Sequence, residues 1–427
     1  MYPNLYYAFE DLFGVKIKGL QLVNSFGFFV AIAFLVAALV LTRELKRRQA
    51  IGLFSYSERT ITIGGPVTLG DIITNIVLGF LLGYKIIGAF FISEALEDPQ
   101  SFMLSGEGHF LSGVIAAAFF GGWKYLEKKK SATSKSEKRN VRIWPADRVG
   151  DMTILAAIFG FLGAKIFHNL ENWNELVADP IGSLLSFSGL TIYGGLICAT
   201  IAIIIYAKKH KIPVLHLADA FGPALMIAYA IGRIGCHISG DGDWGILNSA
   251  FINDANADII KATPEQFKTA FEMNSGFYMR QFGSLENVHH APFNVAGLPD
   301  WLMAYNYPNN VLSEGVNFAS CTGKYCAYLP MPVYPTPLYE AIACTFLFFI
   351  LWVLRKRITI AGRLAALYLI FNGAERFMIE KIRVNTTYDL FGFHPTQAEL
   401  ISTIFIISGV VLWFYSPKIQ PAKPVKG

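Results

Sequence analysis

The chain of 427 residues is 53% hydrophobic and only 16% charged, with a mean hydropathy of +0.42. Soluble domains carry about 25% charged residues, so this composition excludes an ordinary soluble protein, and its wealth of apolar side chains excludes disorder. Its 38 Gly follow no collagen period, its 5 Cys are too few for a disulfide scaffold, and its net charge of +5 forms no nucleic-acid stripe, which leaves a polytopic membrane protein.

Residues 1–22 carry Tyr2, Tyr6, Tyr7, Phe9, Leu12 and Phe13. Aromatic rings settle at membrane interfaces, so this segment reads either as a short interfacial arm or as a frayed terminus. It lacks the basic start, apolar core and cleavage site of a signal peptide. Nine runs then approach the roughly 20 apolar residues that cross hydrocarbon: 23–42, 72–92, 110–125, 152–167, 185–206, 218–234, 338–354, 364–377 and 400–415. The third, fourth and eighth are short or polar, so the range is seven to nine.

Basic residues alternate with these runs. Arg43, Lys46, Arg47 and Arg48 follow the first, and a run from Lys128 through Lys135 to Arg148 follows the third. Lys208, Lys209 and Lys211 follow the fifth, Arg355, Lys356 and Arg357 the seventh, and Lys418, Lys423 and Lys426 come last. The intervening loops hold Glu94, Glu97 and Asp98, or Glu171, Glu175 and Asp179. The positive-inside rule then puts the N-terminus out and the C-terminus in, which requires an odd number of spans. The expected fold class is an all-α polytopic membrane protein with about nine transmembrane helices.

The chain repeats itself. Gly70-Asp71 followed by Gly83-Tyr84-Lys85-Ile86 recurs as Gly150-Asp151 followed by Gly163-Ala164-Lys165-Ile166, every pair offset by 80 positions, and Arg59 and Arg139 share that offset. This points to a duplicated helical hairpin with small residues at its helix contact. Only the second copy continues into the polar Phe167-His168-Asn169-Leu170-Glu171. Between the copies, the Ser/Lys-rich stretch reads as a solvated linker. The other large non-membrane stretch, 246–336, is expected to hold short strands and helices on the outer face. Its Cys321-Thr322-Gly323-Lys324-Tyr325-Cys326 reads as a small disulfide loop rather than a metal site. Cys198 and Cys344 fall in spans as packing residues.

The chain divides accordingly. Residues 1–22 form the arm, 23–126 the N-terminal membrane helices with the first hairpin copy, and 127–149 the basic linker. A membrane core over 150–245 holds the second copy, 246–336 is the outer insertion, 337–416 completes the core and 417–427 is a tail.

Ionisable residues inside spans are costly and face a cavity or a partner. Here they gather at the outer ends of spans four to eight. Gly232-Arg233-Ile234-Gly235-Cys236-His237 leaves an apolar helix and enters the Gly-rich Gly240-Asp241-Gly242-Asp243-Trp244-Gly245. A fixed guanidinium beside free backbone N–H groups suits an anionic oxygen group, although a lone snorkelling Arg looks the same. Arg376, Glu380 and Arg383 sit three to four apart, as a phosphate-binding face or a salt-bridge ladder. Tyr339 and Glu340 begin the seventh span as supporting partners or interface anchors. Tyr193, beside Gly194 and Gly195 after Ser188-Gly189-Leu190, reads as a ligand contact or an aromatic-belt residue.

Together these segments resemble the prolipoprotein diacylglyceryl transferase family. The Arg-Gly signature lies at Gly232-Arg233-Ile234-Gly235 with Gly240 and Gly245, and Pro335-Thr336-Pro337-Leu338-Tyr339-Glu340 is similar to the family's Pro-Ser-Gln-Leu-Tyr-Glu element. Arg376-Phe377 with Glu380 and Arg383 is similar to its late Arg-Phe-x-x-Glu motif, His394-Pro395-Thr396-Gln397 to the approach to its last helix, and Gly163-Ala164-Lys165 to its Gly-Ala-Arg segment. The likeness covers 150–245 and 335–416. Tyr193 stands where the family often has His, and Cys236-His237 where it has Asn-Phe.

The resemblance implies transfer of the diacylglyceryl group of phosphatidylglycerol to the lipobox Cys of a prolipoprotein, releasing glycerol phosphate, as the first step of bacterial lipoprotein maturation. It implies a multi-pass protein of the bacterial cytoplasmic (inner) membrane with a small mixed periplasmic domain. The expected partners are phosphatidylglycerol, the prolipoprotein signal peptide and membrane lipids, with no nucleic acid and no cofactor. No metal is expected, since His168 and His289-His290 lack a ligand set. Arg233 and Arg376 are expected to hold the phosphate, with Gly240, Asp241, Glu380 and Arg383 in the phosphatidylglycerol site, Tyr339 and Glu340 behind them, and Tyr193 or His237 taking the thiol proton. Two other readings stand beside this one: the same fold binding lipid or peptide without chemistry, and a transporter, which the repeat favours but the position of the Arg cluster does not.

Overall fold

The computed structural model describes residues 1–63, 69–92, 95, 99–131, 137–185, 191–321, 323–383, 388 and 393–419. Glu94, Glu97, Asp98, Lys135, Ser188-Gly189-Leu190, Thr322, Lys423 and Lys426 lie outside the described residues. Among the described residues, nine long helices are seen: α1 (Ser25–Ala50), α2 (Leu69–Leu82), α3 (Phe110–Ser131), α4 (Val149–Glu171), α5 (Ile192–Lys209), α6 (Val214–Ser239), α7 (Thr336–Leu354), α8 (Arg363–Glu380) and α9 (Gln397–Ile419). Among the described residues, six of these positions, those of α1, α2, α4, α6, α7 and α9, have the length and hydropathy to cross a membrane. The protein is a mostly helical, multi-pass membrane protein.

Helix α6 is the centre of the core. It packs against α1, α7 and α8, and Leu41, Leu45, Leu217, Ala220, Met226, Cys344, Leu351 and Leu364 are buried together between them. Its small residues allow this closeness: a Cβ on Gly235 would stand 2.8 Å from Phe29 Cβ. At the end of the core that carries the Lys- and Arg-rich segments, Glu44 is fully buried and bonds Arg47, Arg48 (Nε 2.7 Å) and Arg355 (Nη1 2.6 Å). Asp219 accepts from the backbone N–H groups of Gly362 and Ala365, both at 2.9 Å, and so fixes the start of α8. Buried charges with this many partners meet the cost of leaving water.

The duplication is visible in three dimensions. In the first copy α2 packs on α3, where a Cβ on Gly83 would meet the Ser112 carbonyl oxygen at 2.4 Å; in the second α4 packs on α5, where a Cβ on Gly163 would meet the Gly194 carbonyl oxygen at 2.5 Å. Each copy is preceded by a strand, β1 (Ser57–Ile63) and β2 (Glu137–Ile143), and these pair antiparallel. Thr60 faces Asn140, and its Oγ1 hydrogen-bonds Asn140 Oδ1 at 2.6 Å. That central pair is itself related by the 80-residue offset, so the two copies meet about a local two-fold. Residues 137–143, expected as solvated linker, are therefore a strand. The pairing is by backbone, and residues 138–142 are exposed, so no alternation of buried and exposed side chains announces it.

The segment between α6 and α7 is mixed, as expected. It has short strand pairs, Phe251–Asn253 with Ile259–Lys261 and Val316–Asn317 with Ala327–Tyr328, and short helices, among them Pro264–Met273 and Ser275–Phe282. Leu247, Phe267, Tyr278, Tyr307, Leu329 and Met331 form its own core. Asn248 and Asn310, both fully buried, tie its loops together through backbone carbonyls. Cys321 and Cys326 are disulfide-bonded. The N-terminal helix, Leu5–Phe13, is capped by the Asn4 side chain and ends at Gly14. The arm reaches the end of α6, where the Tyr2 N–H donates to the Ile238 carbonyl at 2.9 Å.

Candidate functional site

Three helix ends meet beneath the mixed segment. Helix α6 supplies Arg233 and Tyr229, one turn apart; α7 supplies Glu340 in its first turns; α8 supplies Arg376 and Glu380 in its last. Glu340 is fully buried and is the hub. Its Oε2 lies 2.8 Å from Arg233 Nε and its Oε1 lies 2.7 Å from Arg376 Nη1, while the Tyr229 hydroxyl donates to Oε1 at 3.2 Å. Arg376 Nη2 pairs with Glu380 at 2.9 Å. The Tyr229 ring lies 5.0 Å from the Arg233 guanidinium and adds a cation–π contact.

The loop after α6 closes this cluster. The helix stops at Gly240, whose φ of 65° is the left-handed turn glycine adopts without strain, and a Cβ there would stand 2.8 Å from Asn310 Cβ. The chain then brings Asp243 between Arg233 and Arg383, pairing with both. Thr336 Oγ1 donates to the Asp243 carbonyl at 2.7 Å, and the Ile246 N–H donates to the Ile382 carbonyl at 2.9 Å. Burial pushes the Asp243 carboxyl up, but Arg233 and Arg383 pull harder and hold it at about 2, so it is charged at every physiological pH. Asp241, half-buried and beside Asp243, has its carboxyl raised above the ordinary value by desolvation and by the Asp243 charge.

Not all of the expected residues come together. Arg233, Arg376, Glu380, Asp241, Gly240 and Arg383 converge, but not all as expected. Arg383 does not share a helical face with Arg376 and Glu380: α8 ends at Glu380, and the turn that follows swings Arg383 onto Asp243. Its side chain is 9% exposed, and its Nε and Nη1 have no hydrogen-bond partner among the described residues. Glu340 is more than a supporting partner, since it bonds both arginines directly. Tyr339 turns away and donates to the Leu302 carbonyl at 2.7 Å, anchoring the mixed segment. Tyr193 sits on α5 and belongs to none of these contacts. His237, one turn beyond Arg233, has Nδ1 3.3 Å from the Tyr307 hydroxyl and packs edge-on to Tyr305. Cys236 Sγ and the Asp241 and Asp243 carboxylates lie within 4.8 Å of one another, but Asp243 is already committed to two guanidiniums that a cation would have to displace.

Sequence reasoning missed Tyr229 and the central roles of Glu340 and Asp243. Tyr229 stands four residues before Arg233 and so shares its helix face, a signal that was available. The Glu340 contacts join α7 to α6 and α8 over long sequence separations, and local spacing carries no trace of them.

Chemically, three guanidiniums are fixed by three carboxylates, and among the described residues one guanidinium edge, that of Arg383, has no partner. The family profile described as prolipoprotein diacylglyceryl transferase matches residues 107–415. The chain belongs to this family. The match takes in α3 to α9 and the mixed segment, and it leaves outside the arm, α1 and α2. The chain is 26% identical over 285 residues to the phosphatidylglycerol–prolipoprotein diacylglyceryl transferase of Shouchella clausii, covering 66% of this chain and 79% of that protein. The protein of the same name from Staphylococcus haemolyticus is 28% identical, covering 65% and 76%. That from Staphylococcus carnosus is 25% identical, covering 77% and 94%.

Proposed function

We infer that this family member transfers the diacylglyceryl group of phosphatidylglycerol to the lipobox Cys thiol of a prolipoprotein and releases glycerol phosphate. Sulfur attacks a glycerol carbon, a C–S bond forms, and the C–O bond to phosphate breaks. The phosphate leaves with an extra negative charge, so donors that hold it more tightly as this charge grows lower the barrier.

The observation that carries the reading is the buried edge of Arg383, which has no partner among the described residues. A buried guanidinium with two unpaired donors is the feature an anionic oxygen completes. Arg233 and Arg376, already held by Glu340, Asp243 and Glu380, supply a preorganised field beside it. The cluster's own charges nearly cancel, so it is the directed N–H groups rather than net charge that receive the phosphate. His237, on the same helix as Arg233, is the proton acceptor this geometry favours over Tyr193.

The alternation of basic segments supports nine spans in the cytoplasmic membrane, the N-terminus outside, the C-terminus inside and the 246–336 segment on the outer face, where a secreted acceptor emerges. The test is complementation of a bacterial strain depleted of its own transferase. A reporter lipoprotein bearing a diacylglyceryl group on its Cys supports the reading. An unmodified reporter, with this protein inserted and folded, supports the lipid- or peptide-binding reading instead.

A further inference from the structure

A cavity of about 150 Å³ lies in the 246–336 segment against the loop that closes the Arg cluster. Gly242, Trp244 and Gly245, which flank Asp243, form one wall; Phe277, Phe282 and Val288 form much of the other. Gln281 and Glu314 also line it, the Gln281 amide donating to the Glu314 carboxylate.

We propose that this cavity receives one apolar side chain of the acceptor polypeptide, from a residue shortly after the lipobox Cys, and so selects among acceptors. The inference rests on the transferase reading above. Its volume decides the class of occupant: about 150 Å³ holds a group the size of benzene, not an acyl chain or a phospholipid headgroup. Its lining sets aromatic and aliphatic side chains beside the polar Gln281, Glu314 and His289, which suits a side chain with an apolar body that leaves the polar groups at the rim paired. Its position decides the source. The acceptor thiol must reach the Arg383 end of the cluster, and the chain beyond it leaves through the segment that folds over that end. The cavity and the Arg cluster lie on either side of the same loop. Asp243 pairs with Arg383 while its neighbours Gly242 and Trp244 line the cavity, so the thickness of one loop separates the two, a path on the order of 10 Å that three extended residues span.

The test uses the full-length protein in phosphatidylglycerol micelles with synthetic lipobox peptides whose Cys is followed by Gly-Gly-Gly, or by the same run with Leu, Phe or Asp at one of the three places. The proposal predicts that Leu or Phe at one place raises kcat/KM roughly tenfold over Gly, while Asp there lowers it. Gln281→Trp, which lays an indole over the mouth, brings the Leu-to-Gly ratio to one. Phe282→Ala, which enlarges the cavity, shifts the optimum to a larger side chain. These ratios are independent of the fraction of enzyme that folds. Transfer indifferent to the side chain at all three places overturns the cavity proposal and leaves the transferase reading standing. Absence of transfer to every peptide overturns both.

Discussion

Arg383 has two buried donors without partners among the described residues, whereas Arg233 and Arg376 are held by carboxylates, and this asymmetry separates binding from positioning. Arg383→Ala is predicted to lower the rate of transfer about 10²–10³-fold, the cost of losing a preorganised charge-stabilising donor. Arg383→Lys keeps the charge but not the fork, so it recovers only part of the loss; steady-state rates with phosphatidylglycerol measure both. For the proton acceptor, His237→Gln is predicted to cost about 10²-fold or more, the range of general-base catalysis. Tyr193→Phe is predicted to stay within a few-fold of the parent, and the reverse order assigns the role to Tyr193. At this scale the sequence is readable where a residue contrasts with its surroundings. Arg233 and Arg376 stand out because charge in an apolar run is conspicuous. Glu340 does not, because a Glu near a helix start reads equally well as an interface anchor, and only the packing of α7 against α6 and α8 reveals its two guanidinium partners.

Among the elements, the long helices are legible because apolar length is a strong signal, and among the described residues six of the expected positions have the length and hydropathy to cross a membrane. The β1–β2 ribbon is not, since its residues have no buried face to impose a period. The ion cluster at the other end of the core escaped for another reason. Arg47, Arg48 and Arg355 count as loop charge in a positive-inside reading, but the structure draws them inward around Glu44. Glu44→Ala leaves those cations buried without a counter-charge, a loss of about 3–5 kcal/mol for a pair of this kind. Its predicted signature is a clearly lowered Tm in detergent, with the Arg233–Glu340–Arg376 contacts at the opposite end of α6 and α7 preserved. An unchanged Tm contradicts the structural role given to this cluster.

For the molecule as a whole, the two charge clusters mark opposite ends of one helical core: a structural knot at the Lys- and Arg-rich end, and the candidate site under the mixed segment. The proposed topology puts the first inside and the second outside. Ser313→Cys, on an exposed loop of the mixed segment, is predicted to react with a membrane-impermeant maleimide in intact cells, and Lys130→Cys, at the end of α3, only after lysis; the opposite pattern inverts the topology. The duplication also belongs to this scale. The chain carries two strand–helix–helix units joined strand to strand, of which only the second lies wholly within the family match. The measurement that tests the central claim most directly uses purified protein with phosphatidylglycerol and a lipobox peptide, followed by mass spectrometry. The account predicts that the peptide gains one diacylglyceryl group on its Cys and that glycerol phosphate appears in equal amount, both failing together in Arg383→Ala. A folded protein that yields neither product contradicts it.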